Sequence, residues 1–395
     1  MVRVYTRRKT AAHHKANAAV AESVDKPIEL PIIDFADLQG DENTRRSAAA
    51  ELDQGFQTYG FVYLANHSIP QEMVDEAFYW AGRFFELPLD IKMLGARRAN
   101  RPSLKFNRGY VPEKTEYDTR EFMPSERTRG LELSPPERKE TFEMGNPFLG
   151  EGGPNYWATH HALPGFKEFQ YRWWKMCIAL QQKLLRVLGE VFGLRDEKLF
   201  CKQEAHNDSH MTIAHYPNMP ITPLKSRQQR WFNPHTNMGG LSLMFQNEIS
   251  GLEVHNDNVF KPVRPILGTI LLSVGEMLER QTNGRWKCAL QQVALPDSHT
   301  LERDFKPNSD VVDRFSIEYH GMPDPQIHIH ALPDCPDGKW MPNLGDSPCP
   351  HDSPTSYELQ DKRVKEERYG PGVFKPRGVS DCDGYYVAPD GWVQV

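Results

Sequence analysis

No stretch of the 395 residues is apolar for long enough to cross a bilayer. The longest candidate, Ile266 to Val274, falls far short of the ~20 residues a membrane helix needs, and its β-branched content reads as a buried strand. Blocks of Lys and Arg within predicted helices are also missing, and the formal net charge is −6, so nothing marks a nucleic-acid footprint. Membrane and nucleic acid are therefore not expected as partners; a small-molecule substrate is. Cysteine is sparse. Cys177, Cys201, Cys288, Cys335, Cys349 and Cys382 form no C-x-x-C pair and no zinc spacing. With no secretory signal visible, the expectation is reduced thiols and a cytoplasmic protein. For the same reason Asn66-His67-Ser68 and Asn207-Asp208-Ser209 read as chance matches to a glycosylation pattern. There is no internal repeat.

What is present fits a globular chain of one large domain or two modest ones, with 39% hydrophobic and 25% charged residues. The first residues are basic and Ala-rich, with Arg3, Arg7, Arg8, Lys9 and Lys15 and no acid before Glu22. Residues 1–27 are expected to form a disordered tail, a weak organelle-targeting peptide being the alternative. Leu30 to Phe35 reads as a strand, Glu42 to Tyr59 as a helix and Gly60 to Leu64 as a second strand. Phe169, Trp173, Met176, Leu180, Leu184, Leu188 and Val191 form the apolar stripe of a long helix that stops at Gly193. From Met211 to about Tyr319 the pattern becomes short β-rich runs separated by turn residues. These are Thr212–Tyr216, Leu241–Phe245, Leu252–His255, Val259–Val263, Ile266–Val274, Trp286–Val293 and Phe315–Tyr319, which imply a barrel or sandwich. Beyond Gly321 the chain is rich in Pro, Gly and Asp apart from a charged helix near Tyr357–Glu367.

Several segments carry a resemblance. Pro234-His235-Thr236-Asn237-Met238-Gly239 resembles the iron-binding His-x-Asp segment of the isopenicillin-N-synthase-like Fe(II)/2-oxoglutarate dioxygenases. Lys287-Cys288-Ala289-Leu290-Gln291-Gln292-Val293 is similar to the segment carrying that family's second metal histidine. Gly251-Leu252-Glu253-Val254, Thr282-Asn283-Gly284-Arg285 and Arg314-Phe315-Ser316 follow in the family's order. Phe84 to Pro88, Arg108-Gly109-Tyr110 and Lys139 to Gly145 extend the likeness, which covers roughly residues 30–325. It implies a mainly β fold with flanking helices: a double-stranded β-helix (jelly roll) core behind an N-terminal α/β region. The implied division is 28–200 for the N-terminal region with its long backing helix, 201–325 for the core and 326–395 for a C-terminal extension.

The resemblance also implies a changed site. Asn237 stands where the family has its metal carboxylate, and Gln291 where it has its second histidine. Non-haem Fe(II) sites of this type need two histidines and a carboxylate on one face. Asn237 is neutral, and Gln291 offers an amide oxygen instead of an imidazole nitrogen. No metal ligand set is therefore expected, and no cofactor. Arg314 and Ser316 resemble the pair that grips a carboxylate, which suits the forked guanidinium. Tyr216 matches a residue lining that site. Trp231 and Phe232, just before His235, narrow the pocket, stack on a substrate or simply pack. Other histidines have plainer readings: His67 caps a buried turn, His206-Asn207-Asp208-Ser209-His210 is a polar surface turn, and His328 and His330 are a solvated or packed pair.

Three functions fit these residues. One is a small-molecule tailoring enzyme in which His235, Asn237 and Gln291 act as hydrogen-bonding groups in a largely apolar cavity. Its reaction would be an isomerisation, a dehydration or a pericyclic-type cyclisation. Another is an oxygenase that uses Fe(II) and 2-oxoglutarate with unusual ligands. The third is a non-catalytic binding protein. The first is the expectation carried forward, with catalytic His235, Asn237 and Gln291 and substrate-binding Arg314, Ser316, Tyr216, Trp231 and Phe232.

Overall fold

The computed structural model describes residues 26–96, 108–113, 137–148, 155, 157, 161–220, 230–294, 310–332, 353–369, 385–388 and 391–394. Most of the N-terminal tail expected over 1–27 lies outside these residues. The strands are β1 (Ile32–Asp34), β2 (Phe61–Ala65), β3 (Gly109–Val111), β4 (Glu140–Gly145), β5 (His210–Tyr216), β6 (Met219–Pro220), β7 (Phe232–His235) and β8 (Leu241–Gln246). They continue with β9 (Leu252–Asn256), β10 (Val259–Pro262), β11 (Thr269–Val274), β12 (Gln291–Val293), β13 (Asp310–Val311), β14 (Arg314–His320), β15 (Tyr385–Ala388) and β16 (Gly391–Gln394). The helices are α1 (Glu42–Thr58), α2 (Gln71–Phe85), α3 (Leu89–Leu94), α4 (Phe166–Phe192), α5 (Leu199–Gln203), α6 (Glu276–Gln281) and α7 (Ser356–Tyr369).

An eight-stranded sheet in the order β1-β2-β11-β8-β14-β5-β4-β3 and a four-stranded sheet in the order β10-β9-β12-β7 make the jelly-roll core. Along β14 and β5 the residues alternate between two faces, as period two requires. Ile317, Tyr319, Met211 and Ile213 belong to the main core cluster with the α4 residues Phe169, Trp173, Leu180 and Leu184. The opposite face carries Arg314, Ser316, Tyr216 and Ala214, and it holds the candidate site. Helix α4 backs the sheet because its stripe of apolar residues is continuous over 27 residues. It ends at Gly193 (φ 84°), whose left-handed backbone lets Leu194 N donate to the Gly189 carbonyl at 3.0 Å. Asp41 caps α1 by accepting from the amides of Asn43 and Thr44, both at 3.0 Å. Among the described residues no helix is long and apolar enough to cross a membrane.

Three predicted runs differ. The strand expected over Trp286–Val293 shortens to Gln291–Val293. Trp286 is instead an anchor: its indole donates to Asp53 Oδ1 at 2.8 Å and its ring meets Phe56 and Phe192 edge-on. Its apolar character thus serves helices α1 and α4. The run from Ile266 starts as a strand only at Thr269, after Gly268 (φ 77°), and Leu267 is 92% exposed. The turn expected at the surface over 206–210 is so only at its start: His206 is exposed, whereas Asp208 and Ser209 are buried and His210 opens β5.

Candidate active site

β7 and β12 lie side by side with Gln291 paired directly to His235. Gln291 Nε2 donates to Asn237 Oδ1 at 2.9 Å, and Asn237 Nδ2 donates to Ser273 Oγ at 2.9 Å. This chain of amides ties the small sheet to β11 of the large one. The motif implies that Asn237 shares a strand with His235, but β7 ends at His235 and Asn237 sits in the turn that follows. That turn is held from α6: Glu276 N donates to the Asn237 carbonyl at 2.8 Å and Gly275 N to the Gly240 carbonyl at 2.7 Å. A Cβ on Gly275 would come within 2.2 Å of the Gly239 carbonyl oxygen, so only glycine allows this approach.

His235 Nδ1 lies 2.8 Å from the Asn233 carbonyl oxygen. A carbonyl only accepts, so Nδ1 carries the proton and Nε2 the lone pair. Burial pushes the imidazole pKa from 6.5 down to about 3, and the nearby Lys139, Arg363 and His320 push the same way. His235 is therefore a neutral hydrogen-bond acceptor at pH 7. Gln291 Oε1 is a second acceptor, buried and without a partner. Because an unfolded histidine titrates near 6.5, the unfolded chain binds more protons as pH falls below that value, and stability is lost. We predict that His235→Asn flattens the loss of melting temperature between pH 7 and pH 5. The difference should reach up to about 2 kcal/mol at pH 5, since one proton is worth about 1.4 kcal/mol per pH unit. Equal slopes in both chains would show that His235 is not held neutral.

The large sheet supplies the opposite chemistry. Arg314 pairs with Tyr216 across β14 and β5, and its guanidinium lies 4.8 Å from the Tyr216 ring centroid. Tyr216 OH and Ser316 Oγ share a hydrogen bond of 3.3 Å. Arg314 is 1% exposed, its Nη2 donates to Gln246 Oε1 at 3.2 Å, and its Nε and Nη1 have no partner. No salt bridge holds it among the described residues. The idle Nε and Nη1 point to opposite sides of the guanidinium, and either one, with the second hydrogen of Nη2, makes a fork that suits an anion with two oxygens.

Phe232 stacks on His235, with ring centroids 3.7 Å apart and planes at 17°. Its neighbour behaves differently: Trp231 is fully buried, donates from Nε1 to the Pro217 carbonyl at 3.1 Å and packs among Tyr216, Val254 and Leu271. Of the three readings of Trp231, packing is the one its contacts support. His67 is buried and its Nδ1 accepts from Ile69 N at 3.4 Å, as a turn cap does. His206 pairs with Asp324 at 2.7 Å and anchors the segment after β14.

Lys139, Glu318 and His320 join the site without having been expected there. Lys139 is buried, its Nζ lies 3.2 Å from the Phe232 ring centroid, and its charge acts on both His235 and Tyr216. It links the two halves of the site. Glu318 and His320 follow Arg314 and Ser316 at period two on β14, so the interior face is more polar than the largely apolar cavity expected. The signal lies in Arg314-x-Ser316-x-Glu318-x-His320, but only the register shows which face is inside.

A model of the 2OG-Fe(II) oxygenase superfamily matches residues 207–304. A model described as the N-terminal part of a non-haem dioxygenase in morphine synthesis matches residues 30–161. The 2-oxoglutarate-dependent dioxygenase lolO1 of Epichloe uncinata is 30% identical over 324 residues, 80% of this chain and 89% of that protein. The 2-oxoglutarate-dependent dioxygenase htyE of Aspergillus rugulosus is 31% identical over 306 residues, 76% of this chain and 88% of that protein. Among solved structures, a full-length Neurospora crassa protein crystallised in complex with alpha-KG superposes with a TM-score of 0.70. It is 27% identical, and the match covers 85% of this chain and 95% of that one.

These likenesses overturn the expectation that no cofactor is involved, because the matching proteins are Fe(II)/2-oxoglutarate oxygenases. The residues here fit the two groups unequally. The idle donors of Arg314, with Ser316 and Tyr216 beside them, fit a carboxylate of the 2-oxoglutarate kind. Fe(II) fits less well at His235, Asn237 and Gln291. They offer one imidazole nitrogen and two amide oxygens, one of which already accepts a hydrogen bond. No group of three or more His, Cys, Asp or Glu among the described residues is arranged to hold a metal.

Proposed function

Because the chain belongs to the 2-oxoglutarate–Fe(II) oxygenase superfamily, we propose that it is a small-molecule tailoring enzyme that binds 2-oxoglutarate or a similar carboxylate at Arg314 and works on a substrate beside His235. The single observation behind this reading is the pairing of two opposite half-sites. Arg314 offers donors, whereas His235 Nε2 and Gln291 Oε1 offer acceptors. A bound carboxylate takes the fork of Arg314, and Ser316 and Tyr216 add hydroxyls. A hydroxyl or N–H of the substrate donates to Gln291 Oε1 and His235 Nε2, which fixes its orientation. Asn237 keeps Gln291 from rotating. Phe232 covers the flat face of His235 and excludes water from it. The ammonium of Lys139, above the other face of Phe232, stabilises negative charge that develops on a substrate oxygen nearby.

Such an array orients groups and stabilises charge, so the reaction class that suits it is an isomerisation or a dehydration. The polar interior face gives less support to a pericyclic cyclisation of a hydrocarbon chain. A second reading, oxygenation with Fe(II) and 2-oxoglutarate, is favoured by the relatives' names. One assay separates them. The candidate conversion is run with 2-oxoglutarate in air with Fe(II), and with 2-oxoglutarate anaerobically with a strong chelator, and products are read by mass spectrometry. An isomeric or dehydrated product under both conditions is the expected result. A product that has gained oxygen, formed only with Fe(II), 2-oxoglutarate and air, would establish the second reading instead.

A further inference from the structure

Past Arg314 and Ser316, β14 presents Glu318 and His320 on the same face. The neighbouring strands place Thr212 and His210 beside them on one side and Met244 and Ser242 on the other. His320 Nδ1 shares a hydrogen bond of 3.0 Å with Ser242 Oγ, and its ring stacks on His210 at 5.8 Å and 22°. His210 Nε2 in turn shares one of 3.1 Å with Thr212 Oγ1. Every polar group of this patch except Glu318 has a hydrogen-bond partner. Glu318 is 8% exposed, and its carboxylate receives no hydrogen bond from any described residue. Its nearest basic atom is His320 Nε2 at 3.8 Å, on an imidazole whose pKa burial holds below the ordinary value. The Glu318 side chain keeps 11% exposure, so a ligand can reach its oxygens, and a cation there would gain a charge-assisted hydrogen bond that no protein group supplies.

We propose that Glu318, with His320 beside it, is the subsite for a cationic nitrogen of the substrate, which makes the substrate an amine-bearing small molecule. This rests on the proposed function in one respect: the face that carries Arg314 is taken as the substrate face. Four residues of strand separate Arg314 from Glu318, or about 13 Å. The carboxylate at Arg314 and the ammonium at Glu318 therefore belong to two small molecules or to the ends of one elongated one. His320 connects the subsite to the other half-site, since its charge acts on His235.

The test is calorimetric titration of the full chain with 2-oxoglutarate present. The probes are the twenty proteinogenic amino acids, tyramine and tryptamine, each against its desamino analogue. At least one amine should bind at least about 10-fold more tightly than its analogue, because a charge-assisted hydrogen bond is worth about 1.5–3 kcal/mol. Glu318→Gln should remove that preference without weakening 2-oxoglutarate binding, and Glu318→Asp should retain part of it. If no amine shows the preference, or if Glu318→Gln keeps it, the subsite is refuted. Normal 2-oxoglutarate binding in that case would refute the amine subsite alone. Failure of the unmodified chain to bind 2-oxoglutarate would refute the reading of Arg314 as well.

Discussion

The double variant Asn237→Asp with Gln291→His binds Mn(II) or Fe(II) at least about 10⁴-fold more tightly than the unmodified chain, or roughly 5.5 kcal/mol, if each restored ligand contributes at least 100-fold. The geometry behind this expectation is the contact between the two amides. Gln291 Nε2 and Asn237 Oδ1 already meet at 2.9 Å, next to His235 in the paired register. A carboxylate at 237 keeps the bond from Ser273, which becomes its donor, and turns a free oxygen toward the centre. A histidine at 291 replaces an amide with a stronger donor atom for divalent iron. Anaerobic calorimetry with each metal measures the gain, and the melting curve checks that the fold survives. A double variant with unchanged metal affinity would mean that 291 and 235 do not share a ligand geometry, and the proposed correspondence with the family site would fall.

Arg314→Ala weakens 2-oxoglutarate binding at least about 100-fold. A carboxylate at Arg314 would take two hydrogen bonds, one from the idle Nε or Nη1 and one from the second hydrogen of Nη2. Charge-assisted hydrogen bonds are worth about 1.5–3 kcal/mol each, so two give at least about 3 kcal/mol. Arg314→Lys keeps the charge but loses the fork and should fall between the two. The melting temperature distinguishes this from a scaffolding role. A buried guanidinium whose close partners, Gln246 and the Tyr216 ring, are neutral stabilises the free barrel little, so Arg314→Ala should melt within a few degrees of the unmodified chain. Collapse of the melting temperature with unchanged 2-oxoglutarate affinity would assign Arg314 to structure instead.

Much of this is legible in the sequence alone. Helix α4 announces itself by apolar spacing, and the barrel strands by β-rich runs between turns. Motif spacing brings His235, Asn237 and Gln291 together, and they do converge. The expectation of no cofactor is wrong because it weighs two ligand positions against a family whose likeness spans most of the chain. Trp286 misleads because a large aromatic in a β-rich run looks like a strand residue, whereas it is an anchor between helices α1 and α4. Lys139 and Glu318 are hard to see for the converse reason. A charge in an alternating pattern reads as the solvated face, and only pairing with Tyr216 and Thr212 shows that β14 turns its polar side chains inward.

Helix α7 reaches back to the site. Arg363 Nη2 donates to the Thr236 carbonyl at 3.2 Å, Arg363 Nη1 lies 3.7 Å from Glu276 Oε1, and Ser356 Oγ donates to the Pro323 carbonyl at 2.7 Å. The backbone between His235 and Asn237 is thus braced by a segment made long after every barrel strand. During synthesis the barrel can close while this brace is still inside the ribosome, since chains emerge N-terminus first over seconds. The nascent protein therefore passes through a stage with a complete sheet and an unfinished reaction centre. A chain ending before Arg363 is therefore expected to keep every barrel strand and lose the brace on the backbone between His235 and Asn237.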